Sequence, residues 1–500
     1  MAGLFSRKPL EVILQEAQER EGGLRRALGP VQLTALGIGA IIGAGIFVLS
    51  GLGAHTYAGP ALMLSFVVSG LGCAFAAFCY AEFAAMIPLA GSAYTYAYAT
   101  LGEFLAWIIG WDLVLEYAMG ASTVSSGWSN HVVVLLRDLG IKLPLWVSYD
   151  HWTAARKAAQ MGVPLDAPTI FGWAFGWNVP ATLIVLLITI VLAIGIRESA
   201  SINAVIVAIK VSVVLFVIVM GLQYINRDNW GHDWRSFAPY GAGGIWEGAA
   251  YIFFAYIGFD AVSTTAQEVR NPQRNLPIGI LVSLGVCTLL YVSVAAVLTG
   301  MVPYKEIDIE APIAEAFLRY GLHAASGVVT AGAIAGLTSV MLVMLLGQTR
   351  VFYAMASDGL LPKGIFGWIH PRFRTPFRIT LITGGFVSLV GGFLPIEDLA
   401  KLVNIGTLLA FVIVCAAVMV LRVKRPEIHR PFRVPLMPFV PLLGIGFNGY
   451  MMIKLGWVNW MRLLVWLMIG LVIYFGYGVR HSNLRRAEGR GLPHKEHGTK

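Results

Sequence analysis

Residues 33–49 read LTALGIGAIIGAGIFVL. The stretch is apolar enough to cross a bilayer as a helix. Yet it carries Gly37, Gly39, Gly43 and Gly45, and each glycine weakens a helix by about 1 kcal/mol relative to alanine. Three explanations compete. A dinucleotide-binding fingerprint needs G-x-G-x-x-G, but the spacing here is G-x-G-x-x-x-G, with no strand before it and no acid after it. Gly39 and Gly43 form a G-x-x-x-G pair, which lets a second helix pack close. The third explanation is a helix broken around Gly43, Ala44 and Gly45. Counted from Val31, Gly43 lies about 18 Å along the helix, near the middle of a hydrocarbon core about 30 Å thick. A break there frees backbone N–H groups at the start of the outer half-helix, where the positive end of the dipole can hold a carboxylate. Such groups are tolerable at this depth only if they line a cavity.

The rest of the chain fits a membrane setting. Of its 500 residues 57% are hydrophobic and 13% charged, against about 25% charged in soluble domains, and the mean hydropathy is +0.72. Apolar runs recur at roughly 31–54, 60–88, 101–136, 178–197, 201–225, 243–269, 276–300, 323–352, 377–394, 399–421, 434–453 and 459–479. They predict an all-α integral membrane protein of about twelve spans. The alternating pattern of a membrane barrel is absent. With the N-terminus placed in the cytoplasm, the tails and loops on that side hold 24 Lys and Arg and the opposite loops hold 11; Lys210 remains inside a span. This bias predicts that both termini, 1–30 and 481–500, are cytoplasmic tails of a multi-pass cell-membrane protein. The net charge of +9 then reflects topology and anionic lipid rather than nucleic acid. The polar first thirty residues predict no cleavable signal peptide, the first span serving as the targeting signal. Residues 11–28 can form a short amphipathic surface helix, and the tail from His481 is predicted to be disordered. The loop 139–177, rich in Pro, Trp and Gly, reads as an ordered cap.

Residues 31–480 form one transmembrane domain with no inserted soluble domain. Spans one to five (31–225) overlay spans six to ten (243–421) with opposite orientation, leaving two extra helices (434–479). The first member of the second half contains GAAYIFFAYIGFDAVSTTAQEV. Glycine-interrupted spans at matching positions of two halves point to a transporter substrate site. A break near Phe254, Ala255, Ile257 and Gly258 frees carbonyls that can accept from an ammonium group. N–H groups from one broken helix and C=O groups from the other suit a zwitterion, that is, an α-amino acid.

Four ionisable groups fall inside spans: Asp112 and Glu116, four apart on one face of span three, Lys210 in span five and Asp260 in span six. Burial makes each expensive, about 2.5–3.5 kcal/mol on insertion scales, so each is expected to be paired and functional; the alternative is a structural ion pair between helices. Lys210 and Glu116 are the candidate proton carriers. The histidines are scattered, and no metal-binding or phosphate-binding motif occurs, so neither a cofactor nor ATP hydrolysis is expected. Cys73, Cys79, Cys287 and Cys415 all fall within spans and read as small core residues.

GIGAIIGAGIFVLSG, IPLAGSAYTYAYATLGEFLAWIIGWDLVLEY, FFAYIGFDAVSTTAQEVRNPQRNLPIGI and TRVFYAMASDGLLPK, in this order, resemble the amino acid–polyamine–organocation superfamily, and within it the bacterial homologues of the cationic amino acid transporters. The resemblance implies two inverted five-helix repeats with broken first helices, plus two more helices. It implies a substrate carboxylate on Gly43, Ala44 and Gly45, and an amino group on the carbonyls of Ile41, Phe254, Ala255 and Ile257, with Phe254 as an aromatic gate. It further implies Lys210 in place of a sodium site, Glu116 as the third-span acid, and Met344 at the side-chain subsite. Met344 reads either as a lining residue, which suits small neutral side chains, or as a packing residue. The external loops lack the cysteine of relatives bound to a heavy chain, so no disulfide-linked subunit is expected.

These readings converge on a proton-coupled permease importing L-amino acids, cationic such as arginine and lysine, small and neutral such as alanine, or both. Its partners would be the amino acid, the proton and the lipid bilayer. An amino acid exchanger, or a sensor that binds without transporting, fits the same residues; an enzyme does not.

Overall fold

The computed structural model describes residues 28–489 apart from 88–91, 171–172, 196–199, 261, 264–265 and 267–268. Every expected apolar run carries helix. The first span comprises Pro30–Ile41 and a second, mostly π-wound stretch from Gly45 to Ala58. Spans two to five are Leu62–Met86, Glu103–Asp138, Val179–Ile194 and Ala200–Gly221. The sixth is Gly241–Ile252, ending in the 3₁₀ turn Phe253–Tyr256. Spans seven to ten are Pro272–Met301, His323–Ser357, Phe377–Phe393 and Ile396–Lys424, followed by Phe439–Lys454 and Trp457–Ile473. Among the described residues, seven helical stretches are long and apolar enough to cross a bilayer by themselves, and Pro30–Ile41, Val179–Ile194 and Phe377–Phe393 are shorter apolar helices.

Local chemistry sets several of these boundaries. Asn178 starts the fourth span by accepting from the Ala181 N–H at 3.1 Å, and Gly195, at φ +89°, ends it. On that helix Leu183, Leu187, Ile190 and Ile194 form an i, i+4, i+7, i+11 stripe, each more than half exposed. An exposed apolar stripe of this length is a lipid-facing surface. The third span, by contrast, is buried nearly all round.

Two groups of helices enclose the breaks. The first, second, sixth and seventh spans pack on one another; the third packs on the eighth, ninth and tenth, and the fourth on the ninth. The fifth span joins the groups by contacting the first, seventh and eighth. The eleventh lies on the second and tenth, and the twelfth on the third and tenth. The loop 139–177 does form structure, namely Leu145–Ser148, His151–Gln160 and a two-residue antiparallel ribbon pairing Thr169 with Ala174 and Ile170 with Trp173. We call its side of the molecule the cap face and the opposite side the terminal face.

Three expectations need correction or limitation. The third span begins at Glu103, and a separate helix, Ser92–Thr100, precedes it. Gly102, at φ +103°, makes the corner between them. The tail after His481 is not disordered throughout: Asn483–Gly489 is helical. It is held because Glu103, fully buried, accepts from Tyr98 and Tyr474 at 3.0 Å, from Arg485 at 2.8 Å and from Ser482. The amphipathic helix expected at 11–28 lies outside the described residues except for Leu28, whose carbonyl accepts from the Arg270 N–H at 2.9 Å.

Candidate functional site

The first helix fails at Ile42, whose ψ of 107° is extended rather than helical. Its N–H still closes the last turn onto Ile38 at 2.9 Å. Beyond the break the backbone rewinds, and the Phe47 N–H reaches Gly43 at 3.5 Å. The opening N–H groups of a rewound helix, here around Gly43 to Gly45, lack acceptors within that helix. They are the donors the sequence leads one to seek.

The four glycines do different things. A β-carbon on Gly37 would meet Ser283 and Val262, and one on Gly39 would lie 2.3 Å from Val207 Cγ2, so these two seat neighbouring helices. A β-carbon on Gly43 would lie 3.2 Å from Val340 Cγ2. Gly45 does not mark the failure point itself. Its β-carbon would lie 2.1 Å from the Ala255 Cα, so its role is to let the two broken helices touch backbone to backbone. Gly258 repeats this from the other side: at φ +112°, a β-carbon on it would lie 2.8 Å from the Ala40 carbonyl oxygen.

The carbonyl end of the inner half-helix is capped by side chains. Lys210 Nζ donates to the Gly39 carbonyl at 2.8 Å, and the Tyr291 hydroxyl donates to that of Ile41 at 2.9 Å. Both are buried. A cation at a helix C-terminus is also favoured by the dipole. In the sixth span, Asn404 donates to the carbonyls of Ala250 and Tyr251 at 2.9 and 2.7 Å. The Phe254 carbonyl accepts from the Ile257 N–H at 3.2 Å. So Ile41 and Phe254 each already have one donor, and each carbonyl retains a second lone pair.

The expectation that the intramembrane charges pair with one another needs correction. Lys210 meets a backbone carbonyl, and among the described residues no carboxylate lies within ion-pair distance of it. Asp112 and Glu116 each have a carboxylate oxygen without a hydrogen-bond partner among the described residues. Asp112 packs on Gly406 of span ten, and Glu116 lies near Thr407, whose hydroxyl donates to the Val403 carbonyl at 3.1 Å. Met344 lies against Gly120, one turn beyond Glu116. Val340, rather than Met344, is the eighth-span side chain beside Gly43. Gly127 of span three closes the other side, near Ala44 and Val48.

Sequence reasoning missed Val340, Tyr291 and Asn404. The polar residues Tyr291 and Asn404 within apolar runs were the available signal for two of them. Phe254, Ala255 and Ile257 are all buried. Above them, toward the cap face, a cavity of about 330 Å³ reaches down to Leu49, Ser126 and Tyr251.

Comparison with known proteins agrees with this architecture. The family model described as "Amino acid permease" matches residues 28–479. The chain is 45% identical over 487 residues to the methylthioribose transporter of Bacillus subtilis (strain 168), covering 97% of this chain and 100% of that one. It is 46% identical over 484 residues to a branched-chain amino acid permease of the same organism, covering 97% and 99%. It is 36% identical over 429 residues to the vacuolar cationic amino acid transporter 4 of Arabidopsis thaliana, covering 85% of this chain and 68% of the relative. All three are named as transporters or permeases, not enzymes. A multi-pass helical membrane protein with paired broken helices, matched over nearly its whole length, this chain belongs to the amino acid permease family of the amino acid–polyamine–organocation superfamily.

Proposed function

We propose that the chain imports L-amino acids across the cell membrane by proton-coupled alternating access, with both termini in the cytoplasm. The observation that carries this reading is the close approach of Gly45 to Ala255, which seats the two broken helices backbone to backbone. In this reading Gly43, Ala44 and Gly45 take the substrate carboxylate. The carbonyls of Ile41, Phe254, Ala255 and Ile257 take its amino group, and Phe254 covers it. Val340 and Met344 favour an apolar side chain, which agrees with a branched-chain permease among the relatives. Glu116, a turn from Met344, is the group a basic side chain would use. Lys210 suits proton coupling because its partner is a carbonyl: it can give up its proton without leaving a buried carboxylate alone. In the cycle, substrate and proton bind from the cap face. The first, second, sixth and seventh spans then rock against the others, and proton loss from Lys210 on the far side weakens substrate binding.

Uptake into proteoliposomes tests the proposal. Labelled leucine, alanine and arginine would be offered under separate pH and sodium gradients, with and without internal amino acid. An acid-outside gradient should accelerate uptake by about ten-fold, with leucine and alanine preferred over arginine. Lys210→Ala should remove the acceleration. Uptake driven by sodium alone would refute proton coupling, and uptake only against internal amino acid would make the protein an exchanger.

A further inference from the structure

The four cysteines are reactive groups that the transport cycle leaves unused. All are buried and carry free thiols. Cys73 and Cys79 stand on the second span, Cys287 on the seventh and Cys415 on the tenth. Cys73 and Cys287 therefore belong to spans that move together. Cys79 and Cys415 belong to different groups of spans.

Three observations bring Cys79 and Cys415 together. Among side chains, Cys415 is the one that bears most strongly on the Cys79 thiol, ahead of Glu82 and Arg422. A β-carbon on Gly444 would lie 2.7 Å from Cys415 Sγ and 3.3 Å from Phe75 Cβ. Phe75 precedes Cys79 by about one turn, so the Cys415 sulfur sits at the edge of the second span. The neighbouring contacts hold the two helices in this register. Tyr80 packs edge-on against Phe411 with ring centroids 5.6 Å apart, and Glu82 accepts from Arg422 Nε at 3.1 Å. A buried cysteine by itself is a small core residue. Two thiols that meet across helices that must part can become a covalent lock.

We propose that Cys79 and Cys415 form a reversible disulfide that ties the second span to the tenth and stops transport when the protein meets a peroxide. The proposal rests on the reading that these two groups of spans rock against each other. Opening of the terminal face breaks the tie at Glu82 and wets Cys79, three residues away. The Cys79 sulfur then attacks hydrogen peroxide: an S–O bond forms, the O–O bond breaks, the thiol proton goes to the departing hydroxide, and water leaves. Closing returns Cys415 to the resulting sulfenic acid. Its sulfur attacks that of Cys79, its proton goes to the departing oxygen, and a second water leaves. The sulfurs lose two electrons and the peroxide gains them. The bond then holds the terminal face shut, a redox bias on a two-state element, until a dithiol reverses it by exchange.

Proteoliposomes carrying the full chain, reduced or treated with hydrogen peroxide, test it. After denaturation the reduced wild type should show its four thiols, and the treated one about two. Its uptake of labelled leucine or alanine should be lost, and a dithiol should restore both the thiols and the uptake. Cys79→Ala and Cys415→Ala should keep transporting after the same treatment, whereas Cys73→Ala should be stopped like the wild type. Matching melting curves of the reduced proteins would verify that the substitutions leave the fold intact. Four thiols after treatment, thiols that the dithiol does not restore, or loss of uptake in Cys79→Ala and Cys415→Ala as complete as in the wild type overturns the disulfide. Loss of about two thiols with uptake unchanged overturns the lock. No uptake by the reduced wild type overturns the transport reading instead, and the thiol count then decides the bond alone.

Discussion

Gly43 and Gly45 lie two residues apart but are hemmed in by different kinds of atom. The neighbour of Gly43 is the tip of a side chain, Val340, which can give; that of Gly45 is the backbone of Ala255, which cannot. Gly45→Ala therefore forces the two broken helices apart. It should cost about 1–3 kcal/mol of stability by overpacking and abolish uptake. Gly385→Ala, where an added β-carbon meets nothing within 4 Å, should melt and transport like the wild type. Melting and proteoliposome uptake of the two variants side by side check this, and equal behaviour would mean that the close approach is dispensable. At this scale the sequence was informative about identity and less so about role. Gly43 could be read as a break because glycine at mid-depth has few other uses. That Gly45 serves contact with Ala255, 210 positions away, could not be read, because spacing along one helix carries no information about what packs on it. The pairing of Lys210 with a carbonyl instead of an acid was hidden for the same reason.

Among the elements, the cap helix His151–Gln160 best shows composition and environment pulling apart. Asp150 begins it by accepting from the Thr153 N–H at 3.0 Å. An aspartate at an N-cap is ordinarily favoured in its charged form. Here burial outweighs that: it pushes the Asp150 carboxyl above its usual 3.8, against the opposing hydrogen bonds from Thr153 and the charge of Arg156. Glu310, which pairs with the same helix through Lys157, is likewise raised above 4.5 by burial despite that lysine. Both acids hold protons more tightly in the folded cap than in an opened one. Their contribution thus favours the closed cap at low pH, and is lost as pH rises from the ordinary carboxylate values through the raised ones. Hydrogen exchange over residues 145–160, corrected for intrinsic rates, should show more protection near about pH 5 than near about pH 7; the reverse order would contradict it. The apolar runs gave away where the spans lie because burial in lipid demands long hydrophobic stretches. The helix Ser92–Thr100 was hidden because it is merely adjacent to such a run and ends at a glycine corner. The order after His481 was hidden because it depends on Glu103, far away in the chain.

At the scale of the whole molecule, the two groups of spans are tied at opposite ends. On the cap face Tyr57 of the first span donates to Glu397 of the tenth at 2.5 Å. On the terminal face Glu82 of the second span, 1% exposed, accepts from Arg422 of the tenth at 2.5 and 3.1 Å and from the Val434 N–H at 2.7 Å, with Arg430 at 3.4 Å. Rocking one group against the other must break such ties in turn. Glu82→Gln takes the carboxylate from the buried Arg430 and the half-buried Arg422, a loss of at most about 3–5 kcal/mol, and should favour opening of the terminal face. Because Cys73, Cys79, Cys287 and Cys415 are all buried, a single cysteine at Leu36 can report it. Thiol labelling of that cysteine should be faster in the Glu82→Gln background, and an unchanged rate would remove Glu82 from the gate. The clasp on Glu103 has a consequence of another kind. Its partners Tyr474, Ser482 and Arg485 stand 371, 379 and 382 residues further along the chain. The ribosome therefore finishes the third span long before it makes three of the four side chains that satisfy that span's first carboxylate. Until the stretch after the twelfth span has been made, that buried carboxylate has only Tyr98 of these four partners beside it, so the nascent chain carries an incompletely satisfied acid that the later residues must find.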